Sequence, residues 1–126
     1  MTDKQRKFIL KSQQGELDAV IMYQKLADKM KDPKVKEVLL QLAADEGRHA
    51  AVFYNLSETN LKPRSLQANL ISILRYIVGW KLLFKLMSIG EYKAVDTYAP
   101  VIKDFPEVES VQKDEGRHGD ILKNLI

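Results

Sequence analysis

Residues 45–49 read Asp-Glu-Gly-Arg-His, and residues 114–118 read Asp-Glu-Gly-Arg-His again. The two strings hold the only two histidines of the chain, His49 and His118, so coincidence is a poor account of the repeat. On an α-helix, positions i and i+3 project from one face, so Glu46 with His49, and Glu115 with His118, each offer a carboxylate and an imidazole to one point in space. One such pair alone is most often a histidine on a salt-bridged helix surface; two identical pairs ask for a shared purpose. The repeat extends upstream. The run from Glu16 to Tyr23 matches the run from Glu91 to Tyr98 in its glutamate, its Ala-Val pair and its tyrosine. The chain reads as two related halves, each a lone glutamate followed by Glu-x-x-His.

Around these strings the apolar residues keep a helical period. Over 4–30, Phe8, Ile9, Leu17, Val20, Ile21, Leu26 and Ala27 recur mostly at three- and four-residue intervals and predict a first helix. Asp32 and Pro33 form a stop followed by a proline suited to a new first turn, and Val35, Val38, Leu39, Leu42, Ala43, Ala50 and Phe53 carry a second helix to about residue 57. So short a turn makes these two helices antiparallel neighbours. Turn signals at Thr59-Asn60 and Lys62-Pro63 then precede a helical piece over 65–78, and the stretch is long enough to cross the length of a bundle. A third helix is predicted over 80–99, ending at Pro100. Asp104, Phe105 and Pro106 start a fourth that carries Val108, Val111, Ile121, Leu122 and Leu125. No strand-like alternation competes. The expected fold is all-α: a ferritin-like four-helix bundle of two antiparallel hairpins joined by a long, partly helical crossover, forming one domain over residues 1–126.

Composition narrows the chemistry. The 126 residues contain no cysteine, which excludes disulfides, thiolate nucleophiles and cysteine-held metal or iron-sulfur centres. Any metal must sit on oxygen and nitrogen. The charged N-terminal residues lack an apolar segment behind them, so a cytoplasmic location is expected. A net charge of +3 is too small to point to nucleic acid, and no nucleic-acid partner is expected.

Glu16, Glu46, Glu91 and Glu115 fall near the middle of the four predicted helices, with His49 and His118 one turn from their glutamates. One glutamate from each of two helices plus Glu-x-x-His from each of the other two is the ligand set of di-iron and di-manganese carboxylate bundles. Four carboxylates in an apolar interior repel one another and lose their hydration, which only protons or cations relieve. Two divalent ions balance four carboxylates. Oxygen and nitrogen donors without sulfur suit two Fe ions, with Mn or Zn as possible substitutes. Glu46 and Glu115, each on a face with a histidine, are the expected bridging and catalytic carboxylates, while Glu16 and Glu91 are expected terminal ligands. Asp45 and Asp114 are placed to accept a hydrogen bond from the histidine of the opposite helix, with Arg48 and Arg117 holding those aspartates. Tyr23 and Tyr98 read as core tyrosines or as donors to a ligand glutamate. Gly47 and Gly116 each cost about 1 kcal/mol against alanine in a helix, so their repetition suggests close helix approach or room for a small oxidant.

The pattern Glu16…Tyr23, Glu46-x-x-His49, Glu91, Glu115-x-x-His118 resembles the rubrerythrin branch of the ferritin-like superfamily over nearly the whole chain. The run at 85–94, Lys-Leu-Met-Ser-Ile-Gly-Glu-Tyr-Lys-Ala, looks most like the erythrin domain joined to vacuolar-iron-transporter-type membrane domains. The resemblance implies a di-iron protein reacting with O2 or H2O2, a ferroxidase or peroxidase, or alternatively an iron-binding or iron-sensing module serving an iron transporter. The chain departs from rubrerythrins at Ala94, where they carry a further glutamate, and in having no rubredoxin cysteines, so electrons must come from another protein or from ferrous iron itself.

The segment 70–89 carries apolar residues on more than one face together with Arg75, Lys81 and Lys85. Three cations argue against a membrane span. A homodimer interface is the expected use, ahead of an amphipathic contact with a membrane surface.

Overall fold

Thr2 starts the first helix: its hydroxyl accepts from the Gln5 backbone N–H at 3.0 Å, while the Gln5 side chain accepts from the Thr2 N–H at 2.8 Å. This reciprocal cap satisfies two of the donors that a helix start leaves unmade. The computed structural model describes residues 1–126, and the helix it opens, α1, spans Asp3–Lys29. Asp32 caps the next, α2 (Pro33–Ser57), by accepting from the Lys34 N–H at 2.9 Å, with Pro33 in the first turn, where no N–H is needed. Both helices end within a residue of the expectation.

Ile9, Tyr23, Leu26 and Ala27 of α1 and Leu39, Leu42 and Phe53 of α2 are wholly or almost wholly buried. Each large side chain among them contributes about 1.5–3 kcal/mol by leaving water. The two helices run antiparallel, since Arg6 near the start of α1 donates to the carbonyl of Ser57 at the end of α2 at 3.2 Å. Glu58 then turns the chain at φ 52°, in the left-handed region, with its N–H on the Tyr54 carbonyl at 2.7 Å.

The crossover that follows is tied to α1 rung by rung. The Arg6 guanidinium donates to Thr59 Oγ1 at 2.9 Å, Gln13 Nε2 to the Thr59 carbonyl at 2.8 Å, and Gln14 Nε2 to the Lys62 carbonyl at 2.8 Å. Asp18 accepts from the Arg64 backbone N–H at 2.7 Å and from its guanidinium at 2.9 and 3.1 Å, and Lys25 reaches Asn69. The partners advance together in both segments, so the crossover runs parallel to α1 from Arg6 to Lys25, a rise of roughly 28 Å. Burial by itself pushes the Asp18 carboxyl up. The Arg64 N–H, the Gln14 amide and the Arg64 guanidinium together outweigh that and hold it below its ordinary value.

The chain divides into two compact units, residues 1–72 and 73–126. The third helix, α3 (Leu66–Tyr98), is broken at Gly79, whose φ of 78° and ψ of 169° lie in a region that only glycine adopts readily. The expected boundary between the pieces 65–78 and 80–99 therefore falls on the residue best able to make it. A 3₁₀ turn, Ala99–Val101, carries Pro100.

The fourth helix, α4 (Val108–Asn124), starts later than its predicted beginning at 104–106. The N–H groups of Asp104 and Phe105 both bond the Val101 carbonyl, at 3.2 and 2.9 Å, and that of Val108 bonds the Phe105 carbonyl at 3.0 Å. These tight turns, with a proline lacking an N–H among them, delay the helical ladder. The later part of α3 lies antiparallel to α4, with the Ser88 hydroxyl on the Gly119 carbonyl at 2.8 Å and Gln112 Nε2 on the Val95 carbonyl at 3.1 Å. Leu83, Val108, Val111 and Leu122 are fully buried in this unit. No helix is long and apolar enough to cross a membrane.

Candidate metal centre

In the first unit, the helical period that buries Ile9, Tyr23 and Leu26 also turns Glu16 inward, and the stripe of Leu39, Leu42, Ala43, Ala50 and Phe53 does the same for Glu46 and His49. All three polar side chains are buried, with at most 3% exposed. His49 Nδ1 lies 3.5 Å from Glu16 Oε2 and 3.3 Å from Glu46 Oε1. The second unit repeats the arrangement. Its Glu91, Glu115 and His118 are likewise buried, and His118 Nδ1 lies 3.8 Å from Glu91 Oε2 and 3.5 Å from Glu115 Oε1. The duplicated strings thus produce duplicated geometry, with the same imidazole nitrogen turned toward two carboxylates.

The donor set in each triad fits a metal ion. Within each, one ligand atom per residue lies within 4.8 Å of the others. The nitrogen-to-oxygen separations are longer than a good hydrogen bond. Two donors about 2.1 Å from a shared ion, at tetrahedral to octahedral angles, stand roughly 3.0–3.4 Å apart, which nearly matches the His49 spacings and is somewhat below those of His118. Imidazole with carboxylates and no sulfur is the chemistry of iron, manganese or zinc.

The flanking residues follow the same repeat. Arg48 pairs with Asp45, and Arg117 with Asp114 at 3.2 Å, each one turn away on its own helix. Tyr23 and Tyr98 are both buried, 0% and 7% exposed.

The glycine reading needs a correction. A Cβ on Gly47 would meet Val20 Cγ2 at 3.9 Å and one on Gly116 would meet Val95 Cγ2 at 3.5 Å, both ordinary contacts, so neither position requires close helix approach. The close approach is at Gly119, where a Cβ would fall 2.6 Å from the Tyr92 ring. No repeated string marked Gly119, because its partner is a tyrosine of another helix. Gly47 instead lines a cavity of about 270 Å³, open to solvent, with Gln13, Leu17, Ala50, Tyr54 and Leu61.

Sequence reasoning also missed the residues that hold the crossover on α1, Gln13, Gln14 and Asp18. Their partners lie 46 to 48 residues away, and no local spacing announces such a contact.

An all-helical chain carrying two buried Glu/Glu/His triads falls in the class of ferritin-like four-helix bundles. The family model described as Rubrerythrin matches residues 7–126, nearly the whole length. The chain belongs to the rubrerythrin family. Neither the comparison with curated proteins nor that with solved structures found a match.

Proposed function

We propose that Glu16, Glu46, His49, Glu91, Glu115 and His118 together hold two iron ions, and that the protein is an oxidoreductase acting on O2 or H2O2. The observation that carries this reading is the repeated triad: two buried sets of two carboxylates and one imidazole, the imidazole nitrogen 3.3 to 3.8 Å from each carboxylate. Ferrous iron held by these residues would supply the electrons that reduce oxygen or peroxide. The chain's own residues supply the rest. Four glutamates would balance the charge of two dications, Glu46 and Glu115 as the ligands shared between them and Glu16 and Glu91 as the outer ones. The buried helix faces keep bulk water from the ligands. Arg48 and Arg117 hold Asp45 and Asp114, which on this reading would orient the histidines.

Metal analysis of protein purified without chelator tests the ligand set. Two iron ions per chain are expected in the wild type and fewer than one in Glu46→Ala and in Glu115→Ala. Wild-type metal content in both variants would contradict the bridging roles, and a protein that takes up no transition metal would remove the proposal. Mixing the ferrous-loaded protein with O2 and with H2O2 in a stopped-flow instrument tests the reactivity, and fast, repeated peroxide consumption identifies the peroxidase form.

The absence of cysteine favours one second reading, since the chain carries no thiolate-held electron relay of its own. On that reading it is an iron-binding or iron-sensing module serving an iron transporter. Slow oxidation without turnover, at full metal occupancy, supports it over the enzyme.

A further inference from the structure

The two halves keep their glutamates and histidines but diverge at three positions beside them. Leu17 follows Glu16, whereas Tyr92 follows Glu91; Ala50 and Ala51 follow His49, whereas Gly119 and Asp120 follow His118. In the second unit the three residues work as one device. The Tyr92 ring lies so close to α4 that a Cβ on Gly119 would fall 2.6 Å from it, and the Tyr92 hydroxyl donates to the Asp120 carboxylate. The ring requires the glycine, and the hydroxyl is answered by the aspartate. A hairpin of this design therefore has a notch, beside its ligand helices, that accepts a phenol.

In the first unit the corresponding residues line an open cavity. Leu17, Ala50 and Ala51 border its 270 Å³ together with Gly47, the counterpart of Gly116. An apolar cavity of about 150 Å³ already holds a benzene ring, and sites for larger drug-sized ligands begin near about 300 Å³, so the space suits one ring with a small substituent. No charged residue lines it, and an ionic ligand would lose hydration there without an answering charge. The polar lining consists of the Gln13 and Asn60 amides and the Tyr54 hydroxyl. Gln13 is 2% exposed and held at both ends of its amide: Oε1 accepts from the Ser57 hydroxyl at 2.6 Å, and Nε2 donates to the Thr59 carbonyl at 2.8 Å. That second bond uses one of the two hydrogens on Nε2. A side chain already fixed in this way offers its remaining donor to a ligand oxygen with little ordering left to lose.

We propose that this cavity is a binding site for a neutral small molecule of the phenol class, one aromatic ring bearing a hydroxyl, at the position that corresponds to the Tyr92 ring of the second unit. The site uses none of the six proposed metal ligands, so it stands or falls apart from them. Isothermal titration of the full chain with 4-methylphenol, the tyrosine side chain as a free molecule, tests it. One equivalent should bind with a dissociation constant of about 1 mM or less. Ala51→Phe, at an exposed position of α2, fills the cavity and should weaken binding by about tenfold or more. Toluene, which lacks the hydroxyl, should bind roughly fivefold more weakly than 4-methylphenol. Tyr92→Leu places the first unit's residue in the second and should raise the stoichiometry from one to two. The absence of saturable binding in the millimolar range overturns the proposal, as does undiminished binding in Ala51→Phe. Equal affinity for toluene overturns the phenol assignment, and a stoichiometry that stays at one in Tyr92→Leu overturns the correspondence between the two positions.

Discussion

Gly47 lies within one repeated string and Gly119 directly after the other, and their physical surroundings are opposite. At Gly119 an alanine must displace the Tyr92 ring, whose hydroxyl is held by Asp120, whereas at Gly47 and Gly116 an added methyl meets only ordinary contacts. Overpacking of this kind costs about 1–3 kcal/mol, against the gain of about 1 kcal/mol that alanine brings to a helix interior. Gly119→Ala is expected to lower the unfolding free energy, while Gly47→Ala and Gly116→Ala leave it unchanged or raise it by up to about 1 kcal/mol. Urea unfolding of the three variants checks the order. At this scale the sequence was fully informative only where chemistry repeats. That Glu46 and His49, and Glu115 and His118, turn inward together could be read directly from their spacing. Gly119 could not, because what restricts it is a ring contributed by another helix.

Among the elements, the crossover is the one whose position depends on particular side chains rather than on an apolar stripe. Asp18 holds the Arg64 backbone and guanidinium at once, and the Arg64 side chain is 68% exposed, so solvent screens the charge while the part-buried N–H bond carries most of the effect. Asp18→Asn is expected to lose about 1–2 kcal/mol in unfolding experiments. The Asp18 carboxyl is held below the ordinary 3.8, so its contribution is complete above that pH and declines as the pH falls through the lower folded-state value. The wild type and Asp18→Asn should therefore converge in stability under strongly acidic conditions; a difference that persists undiminished there would show that the charge is irrelevant. Helix existence and the break at Gly79 were legible from periodicity and from glycine itself. The delayed start of α4 was not, because turns closed by the Val101 and Phe105 carbonyls leave no apolar signature.

For the whole molecule, the two halves of the sequence emerge as two units with equivalent triads, and the fold class followed from that repetition before any contact was known. The division at residues 72 and 73 was not visible, since it falls within a helical stretch without turn residues. If iron occupies both triads, removing it leaves four buried carboxylates that must take up protons or repel. A chelated sample is then expected to unfold at lower denaturant than the loaded one, by about 3–4 kcal/mol for each bound ion at free iron a hundred to a thousand times its dissociation constant. Calorimetry with and without chelator measures this, and coincident transitions would contradict the ligand assignment.

The break at Gly79 is followed at once by the only tryptophan in the chain, Trp80, whose ring lies 5.4 Å from that of Phe84 and beneath the Arg75 guanidinium at 4.9 Å. The molecule therefore contains its own optical reporter at its most unusual backbone position. Indole fluorescence, uncomplicated by any second emitter of its kind, will respond to events that rearrange this corner, so the bend can be followed in solution without attaching a dye.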